Sequence, residues 1–347
     1  MSELRLSPGD LVPRLVLPDP SGDLVDLWHQ SRAGRPILLW LAGTPPLPAR
    51  AASVAGALRD SAADETLAFA VLRASPGDVP RDMAGLPVLC DPDGIVGRAV
   101  GTDTRETVVV FDSAARIVEV APGAEAGAVV ARAVAHEATS EAAAPVLTLP
   151  LVLEAELCAR LVAYWHAGEK RAGGTSTGGG ADGHYDASLK RRQDVPIGDR
   201  ALYAAVGDRI RRRVFPQVQR AFQVRLSHFE APRIGCYDAA DAGFFGRHRD
   251  NRSPHTAHRL FAMSLNLETG TYEGGDLLFP EFGRTPYRPP AGAAVVFSCS
   301  LLHEATPVTR GRRFAVFSFF TDEAGHAREK ALIAEQMARG NTGVTLR

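Results

Sequence analysis

The order of apolar runs along the chain changes abruptly near residues 136–146, and that change requires two halves of different construction. Before it, strand-length runs such as "PILLWLA" (36–42), "LAFAVLRA" (67–74), "ETVVVFD" (106–112) and "RIVEVA" (116–121) are interspersed with segments of helical spacing at 49–62, 93–100 and 124–138. Interleaving of this kind predicts an α/β layer with helices packed on a central sheet. After it, helical spacing comes first, in "LVLEAELCARLVAYWHA" (151–167) and "ALYAAVGDRIRRRVFPQVQRAF" (201–222). Short strands then follow at 260–268, 275–282, 293–300 and 313–321, which predicts a β-sandwich or open barrel buttressed by helices. The polar, alanine-rich "HEATSEAAAPV" (136–146) lies at the boundary. The glycine-rich stretch 171–183 reads as a loop that could order over a bound substrate.

A net charge of −1 gives no bulk attraction to nucleic acid or an acidic membrane, so neither is expected as a partner. The start "MSELRLSPGD" shows no basic segment followed by an apolar core, and "ILLWLAG" (37–43) is too short to span a bilayer. A cytoplasmic protein is the expectation. Four cysteines without a Cys-x-x-Cys pair argue against a disulfide framework or a structural zinc site.

His-x-Asp occurs twice, at His184/Asp186 and His248/Asp250. In a strand, residues two apart share a face, so such a pair can hold one cation if a third ligand arrives from elsewhere. Two imidazoles and a carboxylate on one face of an octahedral metal leave open positions for chemistry. Only the second copy has a partner at the end of a downstream apolar strand, His303 after "AAVVFSCSLL". His184 and Asp186 close the glycine-rich loop and read as solvated. His255 and His258, in "SPHTAHR", read as surface residues or as support behind the ligands. Arg247, Arg249 and Arg252 read as a solvated basic edge, with reception of an acidic substrate as the alternative.

In order and spacing, "PVLTLPLVLEAELCARLV", "RIGCYDAADAGFFGRHRDN", "SLNLETGTYEGGDLLFPEFG" and "FSCSLLHEATPVTRGRRFAVFSFF" resemble the prolyl 4-hydroxylase-type Fe(II)- and 2-oxoglutarate-dependent oxygenases over about 170 residues. The resemblance implies a double-stranded β-helix (jelly-roll) core. It implies His248, Asp250 and His303 as iron ligands and Arg313 as the anchor of the distal carboxylate of 2-oxoglutarate, which a guanidinium grips with two parallel hydrogen bonds. Arg312, on the opposite face, reads as surface. Tyr237 stands where the family has a tyrosine lining the cosubstrate pocket, with a plain core tyrosine as the alternative. The "YEGGDLLFPEF" segment (272–282) reads as a structural hairpin turned by Gly274 and Gly275. The implied activity is hydroxylation of an unactivated C–H bond with O2, giving succinate and carbon dioxide, on a prolyl, peptidyl or amino-acid-like substrate. The resemblance also admits ascorbate as a further cofactor.

"LSPGDLVPRLVLPDPSGDLVDL", "RPILLWLAG", "LPVLCDPDGIVGRAVG" and "TRETVVVFDSAARIVEV" resemble a peroxiredoxin of the thioredoxin fold. Ala49 stands about where the peroxidatic cysteine belongs and Pro46 about where its threonine partner would be. Arg105 matches the family's arginine, and Cys90 reads as a buried small residue. The resemblances together imply a degenerate peroxiredoxin-like domain over 1–138, a linker over 139–146, a dioxygenase domain over 147–325 and a helical tail over 326–347. The first domain is expected to serve docking, stability or homodimer formation. Two further readings stay open: a thiol redox protein working through Cys90, and a non-catalytic sensor that binds iron and 2-oxoglutarate.

Overall fold

A computed structural model describes residues 6–12, 14–42, 48–60, 65–102, 105–139, 142–174 and 186–338. The chain divides into two compact units, Met1–Ala144 with Phe279–Arg284, and Pro145–Leu278 with Thr285–Arg347. Pro46, His184, most of the glycine-rich loop and the end of the tail lie outside the described residues.

In the first unit, the strands Asp82–Met83, Leu86–Cys90, Leu67–Leu72, Ile37–Leu41, Thr107–Phe111 and Ile117–Pro122 form one mixed sheet in that spatial order. Ile37–Leu41 lies parallel to Leu67–Leu72 and antiparallel to Thr107–Phe111. Both Ile37–Leu41 and Thr107–Phe111 are buried along their whole length, which is why they read as unbroken apolar runs. Alternate residues feed opposite cores, as a pleated strand requires. Leu38, Trp40, Val108 and Val110 pack with helices Pro48–Asp60 and Ala126–Thr139, whereas Ile37, Leu39, Val109 and Phe111 face Leu17, Leu27 and Val96. This topology fits the thioredoxin-like expectation. The helix Ala126–Thr139 runs into the expected linker.

In the second unit, Arg171–Ala172, Gln193–Pro196, Arg233–Asp238, Arg312–Thr321, Phe261–Asn266, Ala294–Ser298 and Leu147–Leu149 follow one another across an antiparallel sheet, with His228–Phe229 pairing Arg312–Thr321. A second antiparallel sheet has the order Lys190–Arg191, Phe244–His248, His303–Ala305, Leu277–Leu278. One face of the larger sheet carries Ile234, Cys236, Met263, Leu265, Phe314 and Val316 and packs on helix Ala155–Ala167 and the helical segment 200–222. The alternate residues Tyr237, Ser264, Arg313 and Phe317 turn the other way and line a cavity to which the smaller sheet also contributes. Among the described residues no helix is long and apolar enough to cross a membrane.

Three expectations need correction. The segment 201–222 is not one regular helix. Arg200–Arg209 passes through a π-helical turn, Ile210–Val214, before Phe215–Phe222, in register with Pro216, which has no N–H to donate. The last helix begins at Glu323 rather than 326. The stretch 272–282 is not a hairpin closed on itself: Glu273–Gly274 pairs with Val308–Arg310, and Leu277–Leu278 pairs with His303–Ala305. Gly274 is needed there because its φ is +70° and an added Cβ would lie 2.1 Å from the Pro307 carbonyl oxygen. Gly274→Ala is therefore expected to cost more than about 1 kcal/mol. Chemical denaturation measures this, and an unchanged midpoint would contradict the close approach.

Candidate metal centre

His248 ends the strand Phe244–His248 and His303 begins His303–Ala305; the two residues are direct cross-strand partners. Their rings lie 4.1 Å apart between centroids. Asp250 follows two residues after His248, and its backbone N–H donates to the Cys299 carbonyl at 3.0 Å, tying the turn to the end of the strand Ala294–Ser298. Each imidazole is oriented by its own backbone: Nδ1 of His248 donates to the Gly246 carbonyl at 2.7 Å, and Nδ1 of His303 to the Leu301 carbonyl at 3.0 Å. That tautomer leaves each Nε2 lone pair turned toward Asp250, whose two carboxylate oxygens lie 3.5 Å from His248 Nε2 and 3.4 Å from His303 Nε2. The three ligand atoms fall within 4.8 Å of one another. Phe245 stacks on His248 at 3.5 Å, and Phe297 meets His303 edge-on at 4.6 Å, closing the apolar side.

The electrostatics suit a cation. Burial would raise the Asp250 carboxyl, but His303 and His248 outweigh it and hold Asp250 well below the usual carboxylate range. Burial, with His248 beside it, pushes His303 down to about 4 against the pull of Asp250. At neutral pH His303 is thus a neutral donor and Asp250 an anionic one, the states metal binding needs. Two nitrogens and one oxygen from one side, with a cavity on the other, match the residues that hold iron(II) in a facial triad.

That cavity has a volume of about 370 Å3. Arg313 is buried in it at 2% exposure. Its Nη2 donates to Ser264 Oγ at 2.8 Å and to Asn266 Oδ1 at 3.1 Å, and the guanidinium lies 5.5 Å from the centre of the Tyr237 ring. The structure therefore brings all five sequence-expected residues, His248, Asp250, His303, Arg313 and Tyr237, to one cavity. Arg312 stays outside, paired with Asp238 at 2.6 Å.

Sequence reading missed a second group on the wall. Lys190, Arg192 and Asp194 alternate buried with exposed Arg191 and Gln193. Arg192 clasps Asp194 with two hydrogen bonds, at 2.6 and 2.7 Å, and reaches the Tyr237 hydroxyl at 3.3 Å. Gly235 leaves room for it, since a Cβ there would meet Arg192 Cδ at 2.8 Å. Arg233 and Arg259 line the same cavity, and Arg259 is paired with both oxygens of Glu230. The signal in the sequence was the period of two: Arg233 and Tyr237 have the same parity in one strand.

Other expected positions divide. His258 is buried, not exposed, and faces Glu230 at 3.4 Å and Glu329 at 3.6 Å. These three could also hold a cation, but both Glu230 oxygens are already engaged by Arg259. Arg247 pairs with Glu304, and Arg249 donates to the Ser300 carbonyl. In the first unit, Cys90 is fully buried, and burial together with Asp19 raises its thiol above the ordinary value. A buried thiol with a raised pKa is a poor nucleophile. Ala49 and Arg105 are exposed.

No protein-family model matches the chain. A PKHD-type hydroxylase of Nitrobacter winogradskyi is 33% identical over 128 residues, covering 32% of this chain and 56% of that protein. A PKHD-type hydroxylase of Pseudomonas putida is 30% identical over 162 residues, covering 44% of this chain and 70% of that one. The chain thus spans from 56% to 70% of the length of these relatives. Among solved structures, a Pseudomonas putida prolyl-4-hydroxylase superposes with a TM-score of 0.39 at 22% identity, over 55% of this chain and 97% of that one. A thiol:disulfide interchange protein of Chlorobium tepidum does so with 0.32 at 23%, over 38% and 97%.

The Glu230–Arg259 pair makes a prediction about acid stability. Burial raises the Glu230 carboxyl, but Arg259 and His258 overcome this and bring it to about 2. A group depressed in the folded state gives stability above its unfolded value, near 4.5, and loses it as pH falls toward 2. Glu230→Gln should remove a component on the order of 3 kcal/mol from the acid limb of the stability curve. Denaturation midpoints across that window test this, and parallel wild-type and variant curves would contradict it.

Proposed function

The chain belongs to the PKHD-type hydroxylases, and from that premise we propose that its second unit is an Fe(II)- and 2-oxoglutarate-dependent dioxygenase that hydroxylates an unactivated C–H bond. The supporting observation is the convergence of His248, Asp250 and His303 on a buried cavity that also holds Arg313. Two antiparallel sheets contributing to one cavity suit a double-stranded β-helix core. When bound, iron(II) and 2-oxoglutarate supply the oxidising chemistry, consuming O2, releasing succinate and carbon dioxide and leaving one oxygen atom on the substrate.

The protein's own residues provide placement. His248 and His303 present Nε2 because their Nδ1 protons are committed to backbone carbonyls. Arg313 receives the distal carboxylate of the cosubstrate, with Ser264 and Asn266 holding the guanidinium in place. Tyr237 forms the floor beneath it. Phe245 and Phe297 keep water from the apolar side of the ligands. A prolyl or amino-acid-like substrate is the class carried by the family resemblance. The thiol redox reading loses support because Cys90, the only cysteine of the first unit, is buried with a raised pKa.

Purified protein given Fe(II), 2-oxoglutarate and O2 is expected to release succinate slowly even without substrate, and Asp250→Ala to release none. Arg313→Gln should raise the KM for 2-oxoglutarate on the order of 100-fold, the worth of a buried charge-assisted pair, with a smaller change in kcat. Succinate release equal in wild type and Asp250→Ala would contradict the proposal, and cosubstrate binding without turnover would favour the sensor reading.

A further inference from the structure

The charges lining the cavity do not balance, and the imbalance lies away from Arg313. Among the described residues Asp250 is the only acidic one on the lining, which besides Arg313 also carries Lys190, Arg192, Arg233, Arg249 and Arg259. Two of these cations are matched just behind the wall, Arg192 by Asp194 and Arg259 by Glu230. Lys190 and Arg233 have no ion pair among the described residues. Lys190 is 3% exposed; its Nζ donates to the Gly174 carbonyl at 3.1 Å and lies 4.6 Å from the centre of the Phe245 ring, itself stacked on His248. Among the described residues the buried Arg233 Nε has no hydrogen-bond partner, and its guanidinium rests over Phe319 at 5.4 Å. The acids nearest to it in charge effect, Asp194 and Glu230, are each held by another guanidinium. Desolvation, then Arg192, push the Lys190 ammonium well below its ordinary value against the weaker pull of Asp194 and Asp250, the response of a buried cation whose nearest acids are engaged elsewhere.

Burying charge without a partner is among the costliest things a fold can do, and two such groups on one cavity mark a place for an anion. The cosubstrate does not fill it. Arg313 is the cross-strand partner of Tyr237, and Arg233 that of Phe317, four residues along the same two strands. At roughly 3.3 Å per residue that is about 13 Å of sheet, too far for a short diacid that must also reach the triad. Lys190, by contrast, lies beside the Phe245 ring on the metal side. We propose that Lys190 and Arg233 form a recognition site for an oxyanion of the substrate, a carboxylate or phosphate group, which holds the reacting carbon near the triad. The substrate class is then an acidic molecule rather than a neutral prolyl segment. The word substrate rests on the oxygenase reading; the anion site does not.

The test uses the full chain, anaerobic and loaded with Fe(II) and 2-oxoglutarate, titrated by calorimetry with inorganic phosphate and separately with acetate. Wild type is expected to bind at least one of these while retaining 2-oxoglutarate. Lys190→Met and Arg233→Gln should each weaken that binding at least tenfold, and Arg313→Gln should change it less than twofold. Preference for phosphate or for acetate identifies which oxyanion the site takes. Melting temperatures of the anion-free variants at Lys190 and Arg233 should equal or exceed wild type, because an unmatched buried charge is removed. Arg233→Lys, which keeps the charge, should recover most of the affinity. Wild-type affinity in Arg233→Gln, displacement of 2-oxoglutarate by the anion, or no recovery in a natively melting Arg233→Lys would each overturn the proposal. Failure to take up 2-oxoglutarate would sink the oxygenase reading, whereas anion binding that depends on Lys190 and Arg233 would still support the site.

Discussion

The pairing of the strand ending at His248 with the strand beginning at His303 is the constraint on which the second unit depends. Backbone pairing, not side-chain attraction, brings two imidazoles side by side in a buried place where each would be costly if charged. The carbonyls of Gly246 and Leu301 then fix both tautomers, and the Asp250 N–H bond to Cys299 brings the carboxylate to the same point. The register irregularity between Phe245 and His248 belongs to the same arrangement, since a bulge re-aims the side chain at a strand end. The placement of both imidazoles is thus a property of the sheet.

The larger sheet handles its two faces by parity. One set of residues, including Ile234, Cys236, Phe314 and Val316, is apolar and packs on helices; the other includes Arg233, Tyr237, Arg313 and Phe317 and faces the cavity. Guanidinium groups on the second face lie over aromatic rings: Arg192 over Phe317 at 4.1 Å, Arg259 over Phe319 at 3.8 Å. Such stacking lets planar, weakly hydrated cations lie against an apolar wall. It makes a cationic cavity tolerable without neutralising it.

Much of the metal centre was legible because it is local or ordered by sequence. His248 and Asp250 are two residues apart, and His303 and Arg313 lie at or near the starts of later strands, so one motif and its spacing reach all four. The full burial of the first unit's central strands was legible for a simpler reason: runs such as Ile37–Leu41 are continuous and apolar. Lys190 and Arg233 were not. Nothing within "LKRRQDVP" marks its lysine as buried, because that burial depends on pairing Lys190 with Phe245, a contact between segments far apart in sequence. The fate of "YEGGDLLFPEF" was hidden likewise: its strands pair with residues about 30 positions downstream, which turn chemistry cannot foretell. The burial of His258 depends on Glu230 and on Glu329 of the last helix.

The oxygenase reading turns on iron(II) being held by His248 and His303, at the ends of two paired strands, and by Asp250 in the turn beyond, beside a 2-oxoglutarate site closed by Arg313. The most direct measurement is the visible absorption of the protein mixed with Fe(II) and 2-oxoglutarate in the absence of oxygen. A weak charge-transfer band is expected that grows to one equivalent of each component, is lost in His303→Ala, and in Arg313→Gln needs far more 2-oxoglutarate. Natively folded wild-type protein that shows no band, or a band untouched by His303→Ala, would contradict it.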